Sequence, residues 1–301
     1  MEERYKEQVA LLVDILPYVA REKCFALKGG TAINLFLKDM PRLSVDIDLT
    51  YIKFDKRQEA YANINKAIAN IINSLKNAGY NVEFKGNKEE KKIICSNGTA
   101  TIKIEPNYVI RGFAYEPKVL STGKNVENTF GYTEIQVISK SELYGGKICA
   151  ALDRQHPRDL FDIRELLEAN ELDSEIIKGF IIMLLSHDKP LHEVLSPNIK
   201  NQKDLWAREF MGMTDKDFTY DNHLQTLNAL INAVNTDANN NYRDFLLDFV
   251  RLQHNFSNID IPNLNKLPAI MWKVKNLEKL RSTNKSKFDE QFKKLEECFK
   301  I

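Results

Sequence analysis

Two aspartates set in an apolar strand constrain this chain more than any other feature. In "SVDIDLTYI" (44–52) the period-two alternation predicts a strand. It puts Asp46 and Asp48 on one face, about 7 Å apart, with Val45, Ile47 and Leu49 on the other. Aspartate is depleted in strands and crowded like charges repel, so the arrangement is unfavourable unless a cation sits between them. Magnesium takes oxygen ligands and leaves positions open for phosphate, which makes it the natural cation here. An edge strand with a wet face is the other reading.

Just upstream, "KGGTAINLFLKD" places Gly29, Gly30 and Thr31 at a strand-to-helix turn. Glycines there let the backbone approach a phosphate that a side chain would block. The helix that follows points its free N–H groups and positive end at that phosphate, and the Thr31 hydroxyl can add a hydrogen bond. Lys28 stands before the glycines and no G-K-[ST] ending follows, so this is not a P-loop. A turn with a capping threonine explains the three residues equally well when they are taken alone. Together with D-x-D about fifteen residues later, they read as a phosphate cradle followed by a metal clamp.

The first half alternates helix and strand. "YKEQVALLVDILPYVAREK" has helical spacing, "CFALK" is a short strand, and Asp55 is expected to open a long helix ending near Asn77 with Gly79 as its cap. "YNVEF" is a further strand. Asn97-Gly98 in "KKIICSNGTATIKIEP" predicts a two-residue hairpin turn, with Ile102 and Ile104 on one face and Lys103 and Glu105 on the other. "TEIQVI" precedes Ser139, a helix cap with Glu142 three residues on. Beyond Ser139 the sequence reads as helices broken by Pro190, Pro197, Pro262 and Pro268. The expectation is an α+β protein: an α/β unit over 1–138 and a helical unit over 139–301 that contributes to the active-site cleft.

With 301 residues, 43% of them hydrophobic, the chain has enough material for two packed units. Forty-three basic against 42 acidic residues leave +1, so nucleic-acid binding would have to come from local patches. One mild patch exists: 266–301 holds ten Lys or Arg and five Asp or Glu, which also describes an ordinary solvated helix face. Cys24, Cys95, Cys149 and Cys298 form no C-x-x-C pair, which argues against a zinc ribbon and fits reduced thiols in a cytoplasm. "MEERYKEQ" is too charged for a signal peptide, and no apolar run approaches the roughly 18 residues that span a bilayer. His187 and His192 are spaced too poorly to share a metal, and Trp206 and Trp272 read as core.

"GGTAINLFL…PRLSVDIDL" closely resembles the signature of the AbiEii-type nucleotidyltransferase toxins, a type IV toxin–antitoxin family within the polymerase-β-like nucleotidyltransferase superfamily. Lys147 in "GGKICAAL" and Asp162 in "RQHPRDLFDI" match that family's later lysine and aspartate motifs. The resemblance covers about residues 25–170. It implies a polymerase-β-like domain with a mixed sheet, followed by a helical C-terminal domain. By position, Gly29, Gly30 and Thr31 would hold the nucleoside triphosphate, with Arg42 and Ser44 contacting phosphate or supporting groups that do. Asp46 and Asp48 would bind Mg²⁺. Many superfamily members add a third carboxylate from a neighbouring strand, and Glu105 is the candidate; a surface glutamate paired with a lysine is its plain alternative. Thr31 stands where the wider superfamily frequently has serine.

Lys147 would neutralise the triphosphate and Asp162 would orient Lys147 or the acceptor. Arg158 and Asp159 read as an ion pair or a phosphate contact. The resemblance further implies transfer of a nucleoside monophosphate from an NTP to RNA, in several relatives the tRNA 3′ end, with growth arrest or phage defence as the outcome and an antitoxin encoded nearby. A small-molecule nucleotidyltransferase of the antibiotic-modifying type and a non-catalytic NTP-binding protein remain alternatives.

Overall fold

The computed structural model describes residues 1–86 and 91–299; Lys300, counted in the basic segment above, lies outside them. The chain divides into two compact units, Met1–Leu143 with Phe210–Asp217, and Tyr144–Glu209 with Phe218–Ile301. No single cut in the sequence separates them, because 210–217 returns to the first unit. There Leu43 N donates to Met213 O at 2.7 Å and Thr214 Oγ1 to Pro41 O at 2.8 Å.

The first unit is built on a seven-stranded mixed sheet. In chain order its elements are α1 (Glu3–Val19), β1 (Phe25–Lys28), α2 (Gly29–Thr31), β2 (Asp46–Tyr51), α3 (Arg57–Asn77), β3 (Asn81–Lys85), β4 (Lys92–Ser96), β5 (Thr101–Arg111), β6 (Lys118–Ser121), α4 (Lys124–Phe130) and β7 (Glu134–Val137). The strands lie in the order β3-β4-β5-β2-β1-β7-β6. β2 runs antiparallel to β1 and parallel to β5, and β1 runs parallel to β7. Alternation decides what is buried: Ile47, Leu49, Ile102 and Ile104 are inaccessible. The amphipathic helices α1 and α3 supply apolar partners such as Val9, Leu12, Leu16, Ile64, Ile68 and Ile71.

Three local expectations are corrected. The β4–β5 turn is centred on Gly98-Thr99 rather than Asn97-Gly98, since Ser96 pairs with Thr101 and Asn97 N bonds to Ala100 O. The reason is the Asn97 side chain, whose Oδ1 accepts from Thr99 N and Ala100 N and so takes the first position of the turn. Asp55 does not open α3, which begins at Arg57 with no side-chain cap; its carboxylate accepts instead from the Tyr51 hydroxyl and from Asn63 Nδ2. The helix after the glycines forms as expected, but Ala32–Leu37 winds as a π-helix, a form that frequently marks functional sites. The short strand β6 and helix α4 had no clear pattern in the sequence.

The second unit is helical. α5 (Lys140–Asp153) begins at the end of the first unit, with the Ser139 Oγ accepting from Glu142 N as a cap. It is followed by α6 (Pro157–Glu168), α7 (Ser174–Ser186), α8 (Leu191–Leu195), α9 (Lys203–Glu209), α10 (Tyr220–Asp237), α11 (Arg243–Arg251), α12 (Pro268–Thr283) and α13 (Lys285–Cys298). α7 is apolar nearly all round and buries Ile177, Phe180, Ile181, Leu184 and Leu185, as a central helix must. Trp272 is 55% exposed, contrary to the core expectation. The next residue inverts another: Lys273, counted in the basic segment, is buried, and its ammonium donates to the carbonyls of His187 and Lys189 in the segment that follows α7. A buried lysine whose ammonium is held by backbone carbonyls is not available to a phosphate.

Candidate active site

The acidic face is assembled from two strands far apart in sequence. Asp46 faces Lys103 and Asp48 faces Glu105 across the parallel β2–β5 pair, while Lys28 at the end of β1 stands opposite Asp48 on the other side. Asp46, Asp48 and Glu105 therefore emerge from one face of the sheet. Burial, then the charges of Asp48 and Asp46, push the Glu105 carboxyl above its usual range. Lys28 was noted in the sequence only for its position before the glycines; the D-x-D strand folding back antiparallel onto it was the signal that places it here.

The glycine turn is fitted to this face. Gly29 has φ +74°, and a Cβ added to it would lie 2.3 Å from Asp48 Oδ2. A Cβ on Gly30 would lie 2.7 Å from Arg42 Nη2 and 2.9 Å from Ser44 Oγ. Each side chain thus approaches backbone at a place only glycine leaves open. Arg42 is buried and its Nη1 donates to Leu43 O at 2.8 Å. Thr31 is fully buried; its hydroxyl donates to the Asp46 carbonyl at 2.5 Å and lies 3.1 Å from Ser44 Oγ. Gly29, Gly30, Thr31, Arg42, Ser44, Asp46, Asp48 and Glu105 are brought together, with Thr31 spent on holding the helix to the acidic strand.

Gly29→Ala is expected to cost about 1–2 kcal/mol for the left-handed backbone. It should also displace Asp48 and lower any metal- and phosphate-dependent turnover by on the order of 10²-fold. Melting temperature and turnover measured on one preparation check this; unchanged turnover would show that the close approach of Gly29 to Asp48 is without consequence.

The donor set fits a divalent cation in one respect and not in another. Among the described residues no three His, Cys, Asp or Glu side chains are gathered into a cage. Two same-face carboxylates with a third one strand away are nevertheless the open platform that magnesium uses when substrate phosphates supply its remaining ligands.

In the second unit, Lys147 on α5 is buried between two carboxylates of α6, with Nζ 2.8 Å from Asp159 Oδ1 and 3.0 Å from Asp162 Oδ2. Asp159 also accepts from Arg154 Nε at 2.6 Å and Nη2 at 3.1 Å. Its expected partner Arg158 is not the one it takes: Arg158 turns toward Glu209, 4.0 Å away. Asp159 and Asp162 are three residues apart, the spacing that puts both on one helix face. That spacing was the available signal for treating them as a pair. Burial alone would raise the Asp159 carboxyl, but Lys147 and Arg154 hold it well below the usual carboxylate range.

A seven-stranded mixed sheet whose glycine turn and acidic strand meet at one face, followed by a helical unit, is an α+β fold of the nucleotidyltransferase type. The chain belongs to the family described as nucleotidyl transferase AbiEii toxin, type IV TA system, whose model matches residues 10–276. Among solved structures it is similar to MenT4, nucleotidyltransferase toxin Rv2826c from Mycobacterium tuberculosis, at 12% identity and a TM-score of 0.54, over 83% of this chain and 94% of that one. It also aligns with the CdnE cyclic dinucleotide synthase of Elizabethkingia meningoseptica, at 14% identity over 90% of each chain and a TM-score of 0.24. No curated protein matches the sequence significantly. As a toxin of a toxin–antitoxin system, the family carries with it a nucleotide substrate and an antitoxin partner. No helix among the described residues is long and apolar enough to cross a membrane.

Proposed function

We propose that this protein transfers a nucleoside monophosphate from an NTP to an RNA acceptor, the tRNA 3′ end, and thereby arrests bacterial growth or limits phage. The observation that carries the reading is the register of β2 on β5, which sets Glu105 beside Asp48 on the face that the Gly29–Gly30 turn closes. Asp46 and Asp48 would hold Mg²⁺, with Glu105 as the third carboxylate. Bound there, the ion would supply positive charge to the triphosphate and acidify the acceptor hydroxyl.

The chain's own groups do the rest. The backbone of Gly29 and Gly30 and the start of the following helix cradle phosphate oxygens, and the buried guanidinium of Arg42 fixes the loop before the acidic strand. One carboxylate of the set accepts the hydroxyl proton as the acceptor oxygen bonds to the α-phosphorus. The bond from that phosphorus to the bridging oxygen breaks and pyrophosphate leaves. Lys147 is proposed to serve the triphosphate as well, held in place by Asp159 and Asp162, whose charges offset its own.

The RNA acceptor is suggested by the motif resemblance and by exposed basic side chains of the helical unit, among them Lys275, Lys279, Arg281, Lys285 and Lys287. Nucleotide incorporation from each labelled NTP, with Mg²⁺ and then with a chelator, into total bacterial RNA and purified tRNA tests the proposal. Incorporation is expected to vanish with the chelator and to fall with salt at a log–log slope of about −0.7 per contacted phosphate. Lys275→Glu with Lys279→Glu should flatten that slope without lowering stability, whereas Lys273 must be left in place. Labelling of an aminoglycoside or a small alcohol, and never of RNA, would establish the small-molecule reading instead.

A further inference from the structure

In sequence, residues 210–217 fall between α9 and α10, yet they belong to the first unit. Met213 N donates to Phe210 O at 3.1 Å, closing a four-residue turn whose two ends, Phe210 and Met213, are buried. Gly212, the third residue of that turn, has φ +82°, a left-handed conformation that glycine adopts without steric cost. Its carbonyl accepts from Glu2 N at 2.8 Å, and a Cβ added to it would lie 2.4 Å from Glu2 Cδ. The N-cap residue of α1 therefore fixes this strap from one side.

From its other side the strap holds the loop that leads into the acidic strand. Met213 O accepts from Leu43 N at 2.7 Å, and Thr214 Oγ1 donates to Pro41 O at 2.8 Å, across 173 positions of sequence. The Thr214 hydroxyl also accepts from Lys216 N at 3.1 Å, which directs its single proton at Pro41. The two bonds bracket Arg42. Arg42 and Ser44 are the side chains packed on Gly30, with Nη2 and Oγ 2.7 and 2.9 Å from where its Cβ would stand, and Ser44 Oγ lies 3.1 Å from Thr31 Oγ1. An unbroken series of contacts thus runs from Met213 and Thr214, through Pro41 and Leu43, to the glycine turn.

The loop needs such support. Between Leu37, where the π-helix ends, and Asp46, where β2 begins, the chain forms no helix or strand. Backbone without a ladder of its own is placed by the groups that bond to it. A phosphate cradle made of backbone is sensitive to that placement, because its N–H groups must be held to within about 0.5 Å of the oxygens they serve.

We propose that the strap 210–217 positions the phosphate cradle, with Thr214 and the Met213 carbonyl fixing residues 41 and 43 and thereby setting, through Arg42 and Ser44, the affinity of the Gly29–Gly30 turn for the nucleoside triphosphate. Thr214 is a positioning residue that touches no substrate. The inference rests on the turn holding a triphosphate, and not on the acceptor being RNA.

The test is binding of ATP, GTP, CTP and UTP, each titrated with Mg²⁺ into the full chain by calorimetry with no acceptor present. Thr214→Val should weaken the tightest-binding nucleotide about 3- to 10-fold, the net worth of one hydrogen bond. Without nucleotide it should melt no more than about 4 °C below wild type, a shift too small to change binding to the folded protein. Thr214→Ser keeps the hydroxyl and should restore affinity to within about twofold of wild type. Gly212→Ala disturbs the strap from the Glu2 side, touching neither 41 nor 43, and should weaken the nucleotide by at least as much as Thr214→Val; should it fail to fold, Thr214→Val decides alone. Wild-type affinity in Thr214→Val overturns the proposal, as does a loss that Thr214→Ser reproduces in full. A wild type that binds NTP but labels no RNA refutes the acceptor reading and leaves the strap standing, whereas a wild type that binds no NTP overturns both.

Discussion

Asp46→Asn and Asp48→Asn are each expected to lower nucleotidyl transfer by at least about 10²-fold, roughly 3 kcal/mol of barrier, while the protein melts at or above the wild-type temperature. The two halves of this expectation have one cause. Asp46, Asp48 and Glu105 share a face on adjacent strands, and the charges of the two aspartates push the Glu105 carboxyl up. A neutral amide at either aspartate relieves that repulsion in the resting protein and, on the proposed metal-dependent transfer, removes a ligand for the cation. Transfer rates with labelled NTP and RNA, alongside thermal melts, check both halves. Turnover near wild type in both variants would remove the metal assignment, and a large fall in melting temperature would show that the carboxylates hold the fold.

Lys147→Ala is expected to cost about 3–5 kcal/mol of stability, the usual consequence of breaking a buried ion pair from one side. It leaves Asp159 and Asp162 buried without the ammonium that touches both, with Asp159 still held by Arg154. Loss of toxicity in this variant would therefore reflect folding as well as chemistry. Lys147→Met combined with Asp162→Leu separates the two, because it removes a cation and an anion together and should recover most of the lost stability. If Lys147 serves the triphosphate, the double variant stays inactive although folded; a folded and fully toxic double variant would confine the pair to structure.

The same cluster sets a dependence on pH. Asp159 has a folded-state pKa held below its ordinary value of 3.8 by Lys147 and Arg154, against the effect of burial. Its contribution is therefore complete above the unfolded value and is lost as pH falls below about 4 toward the folded value. Acid unfolding followed by helical circular dichroism should show this fall in the wild type, and a smaller one in Lys147→Ala, where one of the two cations is gone.

Much of the site was legible along the chain because the relevant signals are local. Period-two alternation put Asp46 and Asp48 on one face, paired glycines before a helix marked a turn that admits a close approach, and the order of the acidic, lysine and later aspartate motifs carried the family. Thr31 was placed correctly in the turn, yet a sequence cannot say that its hydroxyl is used up on the Asp46 carbonyl and Ser44. Its expected role at the triphosphate depended on a direction that only packing sets.

What the amino-acid order determined by itself was the set of elements and the chemistry each could bear, since hydrophobic period, turn residues and motif spacing act within a few residues. Tertiary structure decided which distant segments meet. The β2–β5 register, joining residues 57 apart, is what brings Glu105 to Asp48. The packing of α5 on α6 set Lys147 between two buried carboxylates. Lys273 was drawn out of a basic surface to bind the backbone carbonyls of His187 and Lys189, and 210–217 returned to the first unit. The common reason is that a charged group's role follows from what surrounds it, and burial, partners and register are properties of contacts between segments that no local pattern encodes.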